Sequence, residues 1–393
     1  MRSLLAWVLA GWLVTGLGGV AGMGNGGVGG EPEVEAGSDL AGELDLDWLE
    51  EAGLRPRLWD HAITLRTWAG YKDNPQLSSL NAVESAFWAV GGEWMAYRLP
   101  ADGWEVTVFA MAEHVGYGEG NLDPESIALM DARVRRNWGN GWWAGLGAEY
   151  LYLHQIFDAS ELEGVPGVVR AEGHLLGGRP RLGWSPGDRW EFEWGWEPSR
   201  QWLAQPLDGF WEMGTVLRAT RKLGARDEVG GLYRYRGRWF DTRAPRGAAG
   251  QPMEGSLFQG QHEVEGMWRR TWGADGAWRA TLRSGWARSL DNGGGYYDYD
   301  RALVSGVLRY ASDRWEVRTE ARWRWYRYPV QPAGALDGPR RRRMDGSLHA
   351  RGEWRAGRRL RLFAEYGLEL SDENVTASDY RAQSIGGGMS FDL

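Results

Sequence analysis

Apolar and charged residues alternate over long stretches of this chain. In residues 314–326 the even positions up to Arg324 are charged and the odd positions are mostly apolar. A period of two residues predicts a β-strand, because successive side chains of a strand point to opposite faces of its sheet. The run is about twice as long as an ordinary globular strand. It is close to the length with which a tilted strand crosses a lipid bilayer.

About sixteen such segments can be drawn along the chain. The predicted strands are 59–71, 85–98, 104–115, 127–138, 142–156, 167–184, 188–198, 210–222, 227–240, 257–271, 277–289, 297–310, 314–328, 342–354, 359–371 and 380–393. The connectors alternate between short turns, which contain Gly, Asp, Asn or Pro, and long loops. We therefore predict an all-β fold, a transmembrane antiparallel up-and-down β-barrel of about 16 strands with both ends in the periplasm.

Most predicted strands keep one parity for the lipid-facing side chains. The outward set in 188–198, for example, is Trp190, Phe192, Trp194 and Trp196. The segment 167–184 breaks the rule, because its apolar residues are odd in the first half (Val169, Ala171, Leu175) and even in the second (Leu182, Trp184). We expect a β-bulge at Gly177–Gly178 to switch the facing side chains from one parity to the other.

The first residues are typical of a secretory signal peptide. Arg2 precedes an apolar stretch, Leu4–Leu17, which ends in small residues near Ala21. We therefore divide the chain into a signal peptide (1–22), a flexible periplasmic lead-in (23–53) and the barrel (54–393). A membrane anchor is the alternative interpretation of the N-terminus, but no second apolar helical span follows it.

Composition supports a membrane barrel and excludes several other classes. The chain has 26 Trp and 59 Gly, and indole rings prefer membrane interfaces. Tryptophans flank the short turns and predict an aromatic girdle: Trp104, Trp138, Trp142, Trp184, Trp190, Trp272, Trp278, Trp315 and Trp354. The absence of cysteine excludes disulfides and thiolate metal sites. The net charge is −8 and the arginines alternate with apolar residues, so no nucleic-acid surface is predicted.

A soluble β-propeller is the main competing fold. Hairpins recur at intervals that match the length of a propeller blade. However, a blade needs four short strands in that interval, and the pattern gives two long ones. The membrane barrel therefore fits the sequence better.

The last strand contains a second informative pattern. Ile385, Gly387, Met389, Phe391 and Leu393 share one parity, with small or polar residues between them. This arrangement resembles the C-terminal signature of bacterial outer-membrane β-barrel proteins, although the usual final aromatic residue is replaced by Leu393. The resemblance implies an outer-membrane location, contact with outer-membrane lipids and lipopolysaccharide, and recognition by the barrel-assembly machinery. An oligomer is compatible with it, and it identifies no specific family.

Catalytic and cofactor motifs are not found in the sequence. It lacks the phosphate-binding loop, the G-x-S-x-G elbow and the H-E-x-x-H zinc motif. Histidines at strand ends are interpreted as interfacial, and a lipid hydrolase using Ser160 or Ser289 is the alternative. Loop acids such as Asp123, Asp291 and Asp298 suggest solvated charge more than a calcium site. We predict a non-enzymatic protein without cofactor or metal, and a surface or lipopolysaccharide-facing patch at Arg340–Arg343.

The inward parity carries most of the charge. Carboxylates dominate the predicted strands 2 to 7, and arginines dominate strands 9 to 13. The predicted pore-lining residues are Glu149, Glu191, Glu193, Glu197, Arg234, Arg236, Arg238, Arg318, Arg322 and Arg324. In a barrel of this size the two sets face each other across the lumen, where opposed charges orient polar solutes. Alternatively, neighbouring residues pair and fill a closed lumen.

These predictions favour a porin-like channel for passive diffusion of small polar solutes. The competing functions are a secretion or polysaccharide-export barrel, and a structural or lipid-modifying barrel. Fold alone does not decide among them.

Overall fold

The computed structural model describes residues 59–78, 82–101, 103–120, 122–158, 168–334, 338–375 and 379–393. The predicted signal peptide and lead-in lie outside these residues. The strands are β1 (Trp59–Lys72), β2 (Ser85–Ala101), β3 (Trp104–Tyr117), β4 (Glu125–Asn137), β5 (Trp142–Asp158), β6 (Val168–Trp184), β7 (Trp190–Leu203), β8 (Phe210–Lys222), β9 (Asp227–Phe240), β10 (Phe258–Trp272), β11 (Trp278–Asp291), β12 (Tyr299–Ala311), β13 (Trp315–Pro332), β14 (Arg340–Arg355), β15 (Leu360–Glu373) and β16 (Tyr380–Asp392). Within the described ranges, no helix is long and apolar enough to cross a bilayer.

The sixteen strands form one closed antiparallel barrel, which confirms the predicted fold. Each strand pairs with its neighbours along the chain, and β1 pairs with β16 from Thr64 opposite Asp392 to Lys72 opposite Ser384. Closure leaves no free sheet edge, so backbone groups in the wall can be satisfied within the sheet even in lipid. The largest changes from the predicted bounds lengthen β7 to Leu203 and β13 to Pro332.

The outer wall is apolar and exposed. Trp194, Leu217, Leu282, Val304 and Leu362, on five different strands, are all exposed on it. Tryptophans at the short turns contact each other in pairs across neighbouring strands: Trp142 and Trp184 stack at 5.8 Å, and Trp315 and Trp354 are tilted at 6.3 Å between ring centroids. An exposed apolar belt with an aromatic rim is stable only in a membrane, where lipid covers it.

The parity switch predicted for β6 is wrong. β5 and β6 pair without a register shift from Trp142–Trp184 to Asp158–Val168. Even residues therefore face outward throughout, and Leu176 is 52% exposed, whereas Ala171 and Leu175 are 2% and 5% exposed and lie in the lumen. The reason is that this part of the lumen is itself apolar, so a hydrophobic side chain there does not mark the lipid face.

Loops at the long-connector end fold inward over the lumen. Leu77, Leu122, Leu207 and Leu257 are buried although they lie in connectors. Leu207 packs against luminal residues of the apolar cluster, which comprises Met111, Ile127, Leu129, Leu151, Leu153, Ala171 and Leu175. The outer mouth is therefore narrowed by apolar packing, while the charged residues lie deeper in the barrel.

Candidate functional site: the charged lumen

Two luminal walls of different charge face each other. We call the first the acid wall; it consists of Glu93, Glu105, Glu113, Glu149, Glu191, Glu193 and Glu197 on β2, β3, β5 and β7. We call the second the arginine wall; it consists of Arg234, Arg236, Arg238, Arg269, Arg279, Arg283, Arg301, Arg309, Arg318, Arg322 and Arg324 on β9 to β13. All of these residues share the parity opposite to the exposed tryptophans, so the alternation of the strands alone places them inside.

Ion pairs connect neighbouring strands within the lumen. Arg181 on β6 lies between Glu193 (3.4 Å) and Glu197 (2.8 Å) on β7. Glu197 also contacts Arg234 of β9 at 3.3 Å, and Arg234 contacts Glu263 of β10 at 3.3 Å. These contacts join four strands, β6, β7, β9 and β10, and so connect the acid wall to the arginine wall. Each charge has a partner in a partly desolvated interior, where an isolated charge would be costly.

Glu263 is the centre of the network on the arginine side. Besides Arg234, it contacts Arg236 at 3.5 Å and Arg301 at 2.8 Å. Further along the barrel, Glu320 lies between Arg318 and Arg322, each at 3.3 Å. A single carboxylate thus forms ion pairs with several guanidinium groups. The arginine wall therefore carries an excess of positive charge.

The predicted pore-lining residues are all luminal in position but fall into separate groups. Glu193, Glu197, Arg234 and Arg236 belong to the connected network. Glu149 pairs with Arg179, and Arg238 pairs with Glu212 at 2.8 Å. Glu191 lies two residues before Glu193 on the same face of β7, and Arg324 is 8% exposed on β13. Glu193 pairs with Arg181 of β6, and Arg318 and Arg322 pair with Glu320 of their own strand.

A cavity of about 220 Å³ lies on one side of the lumen, between β1 to β5 and β13 to β16. It extends from Asn74 and Leu77, at the end of the barrel with the long loops, to Arg361 and Ser390, near the end with the short turns. Among the predicted residues, Arg318 and Arg322 border it. The other charged residues of its lining are Arg66, Lys72, Glu93, Glu113, Glu125, Glu320, Arg351, Glu353, Arg361, Glu365 and Glu369.

Most charged residues of this lining are absent from the predicted pore-lining set. Arg351 contacts Glu353 at 2.7 Å and Glu365 at 3.2 Å, and Arg361 contacts Glu353 at 3.5 Å. The alternation of β14 and β15 would have placed these residues inside. It could not show that β13 to β16 border an open space while β9 and β10 border packed ion pairs, because that depends on how the loops and side chains fill the lumen.

The outer-loop carboxylates support the loops. Asp291 accepts hydrogen bonds from the backbone N–H groups of Gly293 (2.6 Å), Gly295 (3.1 Å) and Tyr297 (2.7 Å). Asp298 accepts one from the Asp291 N–H at 2.7 Å, and burial raises the pKa of Asp298 above its ordinary value. No group of three potential metal-ligating residues is found in the described part of the chain. These two acids fix backbone turns.

Comparison with known proteins finds similar folds among solved structures. No family model and no curated protein matches the chain. Three similar solved structures are OccAB4 of Acinetobacter baumannii (8% identity, 86% of this chain and 99% of that chain, TM-score 0.48), a loop-deletion mutant of OmpT from Vibrio cholerae (10%, 86% and 100%, 0.42) and a bacterial polysaccharide outer-membrane secretin (13%, 84% and 98%, 0.42).

The closed strand wall, the exposed apolar belt and the aromatic rim are observed in the structure of this chain itself. Barrels that span a membrane form all backbone hydrogen bonds between their own strands, and their apolar outer surface contacts the lipid. The chain is a transmembrane β-barrel protein of the bacterial outer membrane.

Proposed function

We propose that the barrel is a porin-like channel through which small polar solutes diffuse passively. The observation that carries this proposal is the luminal cavity, which is lined by charged residues of both signs along most of the barrel height. Such a lining favours water and polar solutes over apolar ones. Opposed charges in a narrow, low-dielectric passage also orient a dipolar solute and lower the cost of its dehydration.

The competing possibility is that paired side chains close the lumen. Pairing is extensive around Glu263 and Arg181, and those strands border no part of the cavity. The passage therefore follows β13 to β16 and β1 to β5, where ion pairs such as Arg351 with Glu353 and Glu365 border the open space instead of filling it. A sixteen-stranded barrel is also too wide for side chains alone to fill.

We further propose that the channel prefers anions mildly. Arg318 and Arg322 share one carboxylate, Glu320, so β13 carries excess positive charge where it borders the cavity, while the whole lining holds seven carboxylates and six cationic side chains. This positive charge attracts mobile anions, and the attraction is strongest where little water is present because the dielectric constant is lower there.

We also propose how the chain is exported and assembled and which molecules it contacts. Residues 1–22 direct export and are removed, and the outward residues of β16 engage the assembly machinery. The partners are then outer-membrane lipids, lipopolysaccharide and small polar solutes, and the luminal residues carry no catalysis.

Conductance of the purified protein in planar bilayers tests the channel. Open steps of nanosiemens order, with a reversal potential on the anion side in a salt gradient, are expected. Arg358→Gln is the control for variants of luminal arginines. It removes a guanidinium group at a short turn, outside the lumen, so it should leave the reversal potential unchanged. Persistent silence of folded, inserted protein would favour a closed barrel or a gated exporter with a dedicated partner.

A further inference from the structure

Four polar residues form a row on the outer wall, on consecutive strands. His114 of β3 lies opposite Ser126 of β4, Ser126 lies opposite His154 of β5, and His154 lies opposite Glu172 of β6. Directly opposed side chains of an antiparallel sheet have Cβ atoms about 5 Å apart. The four side chains are therefore immediate neighbours in the order His, Ser, His, Glu. We call them the outer-wall row.

All four belong to the lipid-facing parity. Luminal neighbours such as Ile127 and Leu153 are buried, whereas Glu172 is exposed and Met130, four residues along β4 from Ser126, is exposed too. The row lies at the outer ends of its strands, near the aromatic residues Trp88 and Tyr152. It therefore sits at the boundary between hydrocarbon and headgroups, where the acyl ester bonds of membrane lipids lie.

The serine is already hydrogen-bonded to a base. The Oγ atom of Ser126 lies 2.8 Å from Nδ1 of His114, and the His114 ring is fixed against Trp88 at 5.6 Å between ring centroids. A serine hydroxyl becomes a nucleophile when an adjacent imidazole can accept its proton, and this distance is within the required range. His154 lies opposite Ser126 on its other side and carries an imidazole N–H group, and Glu172 lies opposite His154.

From this geometry we propose that the outer-wall row is a hydrolase site for acyl esters of outer-membrane lipids. Ser126 is the nucleophile, His114 the general base, His154 the hydrogen-bond donor to the oxyanion, and Glu172 a positioning residue for His154. The sequence had pointed to Ser160 or Ser289 for such an activity. Ser289 lies on the luminal parity of β11 and is buried, so lipid cannot reach it, and Ser160 lies outside the described residues.

The reaction balances with water as the only co-reactant. Ser126 Oγ attacks the ester carbonyl carbon while its proton passes to His114, and a Ser–acyl bond forms. The bond from the carbonyl carbon to the alcohol oxygen then breaks, and His114 returns the proton to that oxygen. Water attacks the acyl-serine, giving its proton to His114, and the Ser126 Oγ takes that proton as the fatty acid leaves. The products are a free fatty acid and a lipid with one acyl chain fewer.

A covalent probe tests the nucleophile first. The folded wild-type protein, incubated with a fluorophosphonate, should be labelled on the peptide that contains Ser126, and Ser126→Ala should lose the label. The matched control is Ser284→Ala, because Ser284 is also exposed on the outer wall but lies opposite Gly266 and Val304, with no histidine beside it. Heat-modifiable migration shows that each variant is folded.

Lipid hydrolysis distinguishes the two possible ester sources. Fatty acid released from phosphatidylethanolamine vesicles and from lipopolysaccharide is measured by mass spectrometry. Release from either substrate, reduced at least about 100-fold in Ser126→Ala and unchanged in Ser284→Ala, supports the proposal and identifies the source. A wild-type rate equal to that of Ser126→Ala on both substrates, or a label that persists in Ser126→Ala, overturns it.

The role of Glu172 needs a separate measurement. With p-nitrophenyl butyrate, Glu172→Gln should lower kcat about tenfold with little change in KM, and Glu172→Asp should recover part of the loss. Equal kcat in wild type and Glu172→Gln would remove Glu172 from the mechanism. Because the four side chains are on the lipid-facing parity of their strands, the hydrolysis assays and the channel recordings test separate claims.

Discussion

At the scale of single residues, the barrel interior depends on shared charges. Glu320 receives two guanidinium groups and Glu263 receives three, so removing one arginine leaves each carboxylate partly compensated. Breaking a buried pair is usually costly because it leaves an isolated charge. Sharing lowers that cost, and it means that luminal charge can be altered without unfolding the barrel.

Neutralising Arg318 and Arg322 together is expected to change ion selectivity. Both residues border the cavity, and Arg318→Gln with Arg322→Gln leaves Glu320 as the local charge. The reversal potential in a salt gradient should therefore move toward cations, and the shift should shrink in molar salt, where the screening length is about 3 Å. An unchanged reversal potential in an open channel would show that these arginines do not face the permeating ions.

An outer-loop latch at the end of β9 gives a pH prediction. Arg200 donates two hydrogen bonds to Asp241, at 2.7 and 2.5 Å, and lies over the rings of Trp202 and Trp211. These hydrogen bonds hold the pKa of Asp241 below its ordinary value. The stabilisation is therefore complete above the usual aspartate pKa of about 4 and is lost as the pH falls through the lower, folded-state value.

Asp241→Asn should weaken this latch by about 0.2–1 kcal/mol, because the pair is near the surface. The measurement is the rate of proteolytic cleavage in the loop 241–257 at neutral pH, which should rise. Asp300→Asn is the control, since Asp300 contacts Arg288 only at 4.0 Å and its loss should matter less. Equal cleavage rates in wild type and Asp241→Asn would contradict the latch.

At the scale of elements, the closing strand combines two roles. β16 pairs with both β1 and β15, and its outward residues Ile385, Met389 and Phe391 are exposed to lipid. Its luminal positions Gly386 and Gly388 lie beside Trp68 of β1, and at Gly388 a larger side chain would collide with Trp68. The strand thus presents bulky residues outward and small ones inward, and the outward set is the one that resembles an assembly signal.

Replacing Met389 and Phe391 with Asp should block insertion into the outer membrane. Each aspartate on the lipid face costs about 1–3 kcal/mol, depending on depth, and the pair also removes the recognition residues. Surface labelling of cells measures insertion. The matched variant places Asp at Val304 and Leu308, which are exposed on the lipid face of β12, and should lower insertion less. Equal losses would mean that lipid cost alone, without recognition, explains the defect.

β6 shows where strand-level prediction from sequence ends. The alternation predicted sixteen strands because it is a local property of each segment. It failed for Ala171 and Leu175 because the apolar cluster, which includes Met111, Ile127 and Leu207, makes part of the lumen hydrophobic. A sequence pattern distinguishes two faces of a strand, but it identifies the inner face only where the lumen is polar.

At the scale of the whole molecule, closure and an open cavity are different properties. Closure follows from the number of strands and from the pairing of each strand with its neighbours in the chain, and both could be predicted from the sequence. The position of the cavity depends on which luminal residues pair tightly, as around Glu263, and on inward loops such as those carrying Leu77 and Leu207. These contacts join residues far apart in the chain, so they could not be predicted from periodicity. The outer-wall row likewise depends on register between strands.

The central claim, that the cavity is the path of permeation, can be tested with one engineered thiol. The chain contains no cysteine, so Ser347→Cys, in the cavity lining, is the single reactive site. A charged, membrane-impermeant thiol reagent added during single-channel recording should reduce the conductance of this variant. It should leave wild type and the outer-wall variant Ser284→Cys unaffected. Full conductance after confirmed labelling of Cys at position 347, or no channel activity in the folded wild type, would contradict the account.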